Sequence, residues 1–149
     1  MRFWDSSAIV PLLVAEPSTR TLVDEFVRDP ELVVWWGTEV ECVSALARLE
    51  REDLIDARAM GEALARLDGL ALAWHEIQPG ARTRQVAVRL LRTHSLRAVD
   101  AFQLAAAIAA AEESPGSLPL VTLNGRLATA AEREGFRVLT AQVQAQQGH

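Results

Sequence analysis

The sequence predicts a single α/β domain, a central and mostly parallel sheet covered by helices. Three observations carry that expectation. Short runs rich in β-branched and aromatic residues alternate with longer stretches of helical periodicity along the whole chain. Chain-breaking pairs such as Glu16-Pro17, Asp29-Pro30 and Asn124-Gly125 fall between them. The 149 residues, half of them hydrophobic, suffice for one sizeable core, and no linker or repeat divides them. The domain is expected over 1–140, with the polar, glutamine-rich 141–149 as a frayed tail.

Residues 2–5 read as a first strand ending in an acid. Ser6 and Ser7 stand as N-cap candidates for a helix over 8–15, with Pro11 in its first turns. Ser18 caps a second helix that turns Leu22, Val23, Phe26 and Val27 inward. The run LVVWW at 32–36, bounded by Pro30 and Gly37, is too short for a helix and reads as a buried strand. Thr38 caps a helix with Val40, Val43, Leu46 and Ala47 inward. Asp56 starts another, carrying Met60, Ala63, Leu64 and Leu67 and ending at Gly69. A strand over 72–77 follows, then a helix opened by Pro79 with Val86, Ala87, Leu90 and Leu91 inward. The helix of 96–111 comes next, and 114–117 form a loop. A strand over 118–123, a helix over 126–134 stopped by Gly135, and a short strand over 136–139 complete the chain.

The net charge of −5 argues against binding nucleic acid by charge over the whole surface. It is compatible with a cluster of acids that takes divalent cations. All fifteen basic residues are arginine. A single cysteine, Cys42, forms no internal disulfide and reads as packing, which fits a reducing cytoplasm. No apolar run reaches membrane-spanning length, and the N-terminal stretch has no cleavage-site pattern.

The helix of 96–111, LRAVDAFQLAAAIAAA, is nearly uncharged and therefore reads as buried. Its carboxylate, Asp100, either complements the helix dipole or belongs to a site. In a parallel sheet, ligands bind at the carboxyl ends of the strands. Asp5 and Asn124 lie at such ends, and Glu41 and Asp100 lie in first helical turns. Three converging carboxylates would repel one another, and Mg²⁺ or Mn²⁺, which prefer oxygen ligands, would relieve that. No zinc-type Cys/His spacing, P-loop or dinucleotide-type glycine motif is present.

Four segments, in order, carry a family resemblance: DSSAIVPLLVAEP from Asp5, E-x-x-S-A-L-A-R from Glu41, LRAVDAFQLA around Asp100, and VTLNGRLATAA from Val121. Together they resemble PIN domains, most of all the VapC-type toxins of prokaryotic toxin–antitoxin pairs. The resemblance implies a PIN-like α/β/α sandwich and a Mg²⁺- or Mn²⁺-dependent endoribonuclease. It also implies homodimers, an RNA substrate and a small cognate antitoxin. Asp5, Glu41 and Asp100 match the family's first three acids, as metal ligands and catalytic residues. Asn124 stands where the family usually has another acid, so it offers a weaker oxygen ligand and no charge. Thr122, Ser6 and Ser7 are candidates to hydrogen-bond the acids or bound water.

Rival readings exist for each. Thr38-x-x-Glu41 is also a capping box, Glu39 is an alternative acid, and Asp5 is a possible N-cap. Arg82, Arg89, Arg92 and Arg97 form either a solvated face or an RNA-binding strip. Of Trp35 and Trp36, which a strand points to opposite faces, at least one belongs to the core. The other, with Trp4 or Trp74, fits a protein interface or base stacking. A catalytically weakened binding module is the second functional reading. A receiver domain would need a lysine, and a haloacid-dehalogenase-type phosphatase an acid at Ser7, so both fit poorly.

Overall fold

A computed structural model describes residues 1–112 and 114–139, so the expected tail lies outside the described residues. Four strands, β1 (Arg2–Trp4), β2 (Leu32–Trp35), β3 (His75–Ile77) and β4 (Leu120–Val121), form one sheet in the order β3-β2-β1-β4. Every pairing is parallel. Among the described residues, seven α-helices connect and cover them: α1 (Ser6–Leu13), α2 (Thr19–Arg28), α3 (Thr38–Arg51), α4 (Ala57–Ala73), α5 (Ala81–Thr93), α6 (Ala98–Ala110) and α7 (Gly125–Arg133).

The strand pleat sorts side chains into two cores. Phe3, Val33, Trp35 and Leu120 pack beneath α5, α6 and α7, against Leu90, Leu104 and Leu127. Trp4, Leu32, Val34 and Val121 pack beneath α1 to α4, against Ile9, Leu22, Leu46 and Leu67. The result is the α/β/α sandwich expected from the alternation of elements. Small side chains let α6 approach closely: Ala101, Ala105, Ala106 and Ala107 are all buried.

Several local expectations are corrected. Asp5, not Ser6 or Ser7, is the N-cap residue of α1, and both serines lie in its first turn. Ser18 makes no side-chain cap; Thr19 Oγ1 instead accepts from Glu16 N and donates to Pro11 O. On α2, Val27 is exposed and Glu25 is buried instead, because Arg2 and Arg28 neutralise it from two sides at 2.6 and 2.9 Å. On α3 the buried stripe is Thr38, Cys42 and Leu46, leaving Val40 and Val43 exposed.

α4 runs through Gly69 to Ala73, because a helix-interior glycine costs only about 1 kcal/mol and neighbouring Leu67 is in the core. The expected strand over 72–77 is shortened accordingly to β3. The region 118–123 contributes only the two residues of β4, and 136–139 a single parallel bridge, Leu120 to Val138. Gly135 has φ +99°, and the bonds Phe136 N to Ala131 O and Gly135 N to Glu132 O close α7 in the expected glycine stop.

Candidate active site

Parallel strands leave their carboxyl ends on one rim, and the helices that follow start there. Asp5 follows β1, with its N–H donating to Val121 O at 3.0 Å. Glu41 lies in the first turn of α3 and Asp100 in the first turn of α6. Asn124 caps α7. Segments far apart in sequence thus meet on one edge.

Two hydroxyls hold Asp5. Thr122 Oγ1 donates to Asp5 Oδ2 at 2.8 Å while accepting from Asn124 N. Ser7 Oγ donates to the same oxygen at 2.5 Å while accepting from Leu123 N. Each hydroxyl takes a backbone N–H from the segment after β4, so its proton is aimed at the carboxylate.

Glu41 is held by Ser6 and Gln103. Ser6 Oγ lies 2.9 Å from Glu41 Oε1 and 3.4 Å from Asp5 Oδ1, so one hydroxyl bridges the two acids. Gln103 Nε2 donates to both Glu41 oxygens, at 3.1 and 3.2 Å, and to Thr38 Oγ1. The capping-box reading of Glu41 fails here. Gly37 is the cap residue, Thr38 is already helical, and neither Thr38 nor Glu41 makes a side-chain cap bond.

Asp100 receives Arg97 N on Oδ2 at 3.2 Å and Asn124 Nδ2 on Oδ1 at 2.8 Å. The Asn124 oxygen expected to serve as a weak ligand accepts from Arg126 N and Leu127 N instead. Asn124 therefore turns a donor toward the acids, because its oxygen is engaged by the start of α7.

Crowding and burial leave a mark on two of the acids. Burial raises the Asp5 carboxyl above its ordinary range against the opposing hydrogen bonds of Ser7 and Thr122, and the Asp100 charge raises it further. Glu41 is pushed up to about 7, first by burial, then by the charges of Asp5 and Asp100. Among the described residues, no arginine side chain hydrogen-bonds any of the three carboxylates. Cys42, next to Glu41 in sequence, is buried and its thiol is pushed up to about 12, which makes it a packing residue.

A cavity of about 880 Å³ opens over Glu41, Asp100 and Asn124. Arg48, Arg51, Arg97 and Arg126 also line it, and the ion pairs of the described residues engage none of these four. The positions legible in sequence separate here. Asp5, Ser6, Glu41, Asp100, Thr122 and Asn124 come together, and Arg97 lines the cavity over them. Arg89 instead pairs with Glu134 at 2.9 Å, and Arg82 borders a different depression with Thr83 and Val86. Arg92 is exposed on α5.

Arg48, Arg51, Arg126 and Gln103 were missed. Their signals are helical spacing: Arg48 and Arg51 lie seven and ten residues after Glu41, and Gln103 lies three after Asp100.

The site suits a hard divalent cation in donor chemistry, since it holds buried Asp5 and Asp100 and half-buried Glu41, with no cationic partner on them among the described residues. No three acidic, histidine or cysteine side chains among the described residues are grouped closely enough to form a cage for one ion. Mg²⁺ commonly uses only one or two carboxylates and keeps several waters.

Neither a family model nor a curated protein matches the sequence. Solved structures share the fold, among them the following two. PAE2754 from Pyrobaculum aerophilum is 19% identical, with a TM-score of 0.65, over 99% of this chain and 90% of that one. FitAcB from Neisseria gonorrhoeae is 17% identical, with a TM-score of 0.62, over 93% of this chain and 96% of that one. At such identities the likeness establishes architecture, and chemistry has to be argued from the site.

Proposed function

We propose that this protein is a PIN-like, Mg²⁺- or Mn²⁺-dependent endoribonuclease, the toxin of a two-component pair restrained by a small antitoxin. One observation supports the chemistry most directly. Among the described residues, a cluster of carboxylates without arginine partners sits under a cavity lined by arginines that no ion pair engages. Acids below and cations above fit a phosphodiester that carries negative charge and must approach a metal. The toxin and antitoxin roles, RNA as substrate and a homodimer follow from the four-segment resemblance. No described helix is long and apolar enough to cross a membrane.

One or two of Asp5, Glu41 and Asp100 would bind the ion directly, and the remaining acid would hold its waters. When bound, it would supply Lewis-acid chemistry, acidifying a water and stabilising charge on phosphoryl oxygens. The chain's own groups do the rest. Ser7 and Thr122 fix Asp5, Ser6 and Gln103 fix Glu41, and Asn124 fixes Asp100. Glu41, held by Ser6 and Gln103 and lining the cavity, is placed to accept the proton of an attacking water. The arginines of the rim orient the phosphate backbone for in-line attack.

The test is cleavage of end-labelled single-stranded RNA by purified protein with Mn²⁺, with EDTA, and by Asp100→Asn. Metal-dependent cutting lost in the variant is the expected result. Folded wild-type protein that cuts no RNA under any divalent metal defeats the reading. Asn124 favours a second reading, a weakened module acting through its partner complex, because its amide already engages Asp100. Little thermal stabilisation by Mn²⁺ would support that alternative.

A further inference from the structure

We propose that the cleft formed by Trp35, Trp36 and Phe102 stacks an unpaired nucleobase of a single strand whose backbone lies over the acidic site. The inference rests on the nucleic-acid reading above and adds a base-contacting residue, Trp36, outside the acidic site.

Trp35 ends β2 and is buried, whereas Trp36, immediately after it, is 53% exposed. The Trp35 ring stacks on Phe102 with centroids 5.4 Å apart and planes 4° from parallel. Trp36 stands edge-on to Trp35 at 6.4 Å and 75°. With Gly80 and Arg84 they line an open cleft of about 460 Å³, within the roughly 300–1,000 Å³ of small-molecule clefts.

The cleft adjoins the carboxylates. A side chain on Gly37 would begin 2.7 Å from the Trp35 indole nitrogen and 3.6 Å from Glu41 Oε2. The Trp35 indole and the Glu41 carboxylate therefore flank the same glycine, with no room there for a side chain. Phe102 follows Asp100 by two residues on α6 and precedes Gln103, which donates to Glu41. The helix that carries Asp100, α6, thus also carries one ring of the cluster and packs on β2.

Charge decides among possible occupants. Arg84 lines the cleft, and four arginines line the neighbouring cavity, so a polyanion with flat apolar groups complements both. Bases inside a duplex are already stacked and cannot enter, whereas an unpaired base can. Stacking is tolerant of sequence, so the cleft selects single strands rather than a particular base.

The experiment measures binding in EDTA, where cutting is absent, of a labelled single-stranded RNA, its duplex, and the same strand with one abasic position. Trp36→Ala should weaken binding of the intact strand roughly 5- to 100-fold. It should leave the abasic strand and the duplex nearly unchanged, with the salt slope unaltered because stacking releases no counterions. Trp36→Phe should retain most of the affinity. Equal affinity of Trp36→Ala and wild type for the intact strand overturns the inference while leaving the nuclease reading in place. So does a variant that turns a dimer into a monomer by sedimentation without losing affinity, since the face would then belong to a second copy. Wild-type protein that binds no RNA at all removes both. If Trp36→Ala fails to fold, 2-aminopurine within the strand reads the same contact on wild type. Quenching on binding supports stacking, and unchanged emission overturns it.

Discussion

Asn124 Nδ2 donates to Asp100 Oδ1 at 2.8 Å while the Asn124 oxygen caps α7. An amide thus does two jobs where a carboxylate would do one. It tempers the repulsion among the acids, and it withholds an oxygen from the site. Replacing it separates these effects, because aspartate is as good an N-cap as asparagine.

Asn124→Asp should therefore keep α7 intact but place a further like charge beside Asp100. The metal-free protein should lose about 1–3 kcal/mol of stability, the scale of a lost charge-assisted bond. Stabilisation by Mn²⁺ should increase, because the added oxygen is anionic. Thermal melts across a Mn²⁺ titration check both. An Mn²⁺-induced shift no larger than that of wild type would contradict the account of Asn124.

Gln103 is fully buried among apolar neighbours, and its amide donates to Glu41 and Thr38. Gln103→Leu, similar in volume, should cost about 1–3 kcal/mol by leaving Thr38 and Glu41 short of a donor. RNA cleavage should fall further than stability explains, because Glu41 loses the group that orients it. A kcat decrease at unchanged KM, measured on protein shown to be folded, is the expected signature.

Asp5 and Glu41 are harder to ionise folded than unfolded. Between the ordinary glutamate value of 4.5 and about 7, the native state holds the Glu41 proton that the unfolded chain has released. Stability of the metal-free protein should then fall as pH rises through that window and level off above it. Glu41→Gln should flatten this decline, and Mn²⁺ should stabilise wild type more at pH 8 than at pH 5. Glu134 has the opposite sign. Arg89, with help from His94, lowers its carboxyl, so its contribution is present above 4.5 and disappears as pH falls. Denaturant titrations across pH resolve the two limbs.

The rim arginines and the α5 arginines should differ. Arg48→Ala and Arg126→Ala should each weaken RNA binding at low salt and reduce the salt slope by about 1. Arg89→Ala should leave that slope unchanged, since Glu134 already holds the side chain. An equal effect from Arg89 would place the nucleic acid on α5 instead.

Much of the fold was legible because it rests on local patterns. LVVWW could hardly be anything but a buried strand, and Gly135 had to stop α7. Helix faces were less legible. Val40 looked inward by periodicity, yet α3 is turned so that Thr38 and Cys42 are buried and Glu41 reaches the rim. Gly69 looked like a terminus, but tertiary packing carried α4 past it. Glu41 had two defensible roles in sequence, and only the partners on its oxygens separated them.

The sequence by itself determined the order of strands and helices, and with it a parallel sheet whose carboxyl ends gather Asp5, Glu41, Asp100 and Asn124. Periodicity and chain-breaking residues act over a few positions, so they can be read without coordinates. Tertiary structure alone decided which hydrogen bonds those side chains make. It set Asn124 as a donor to Asp100, Gln103 beneath Glu41, and Arg48, Arg51 and Arg126 around the cavity. It also set Arg89 aside with Glu134. Those outcomes depend on distances between residues remote in the chain, and a linear pattern does not encode which of several available partners lies within reach.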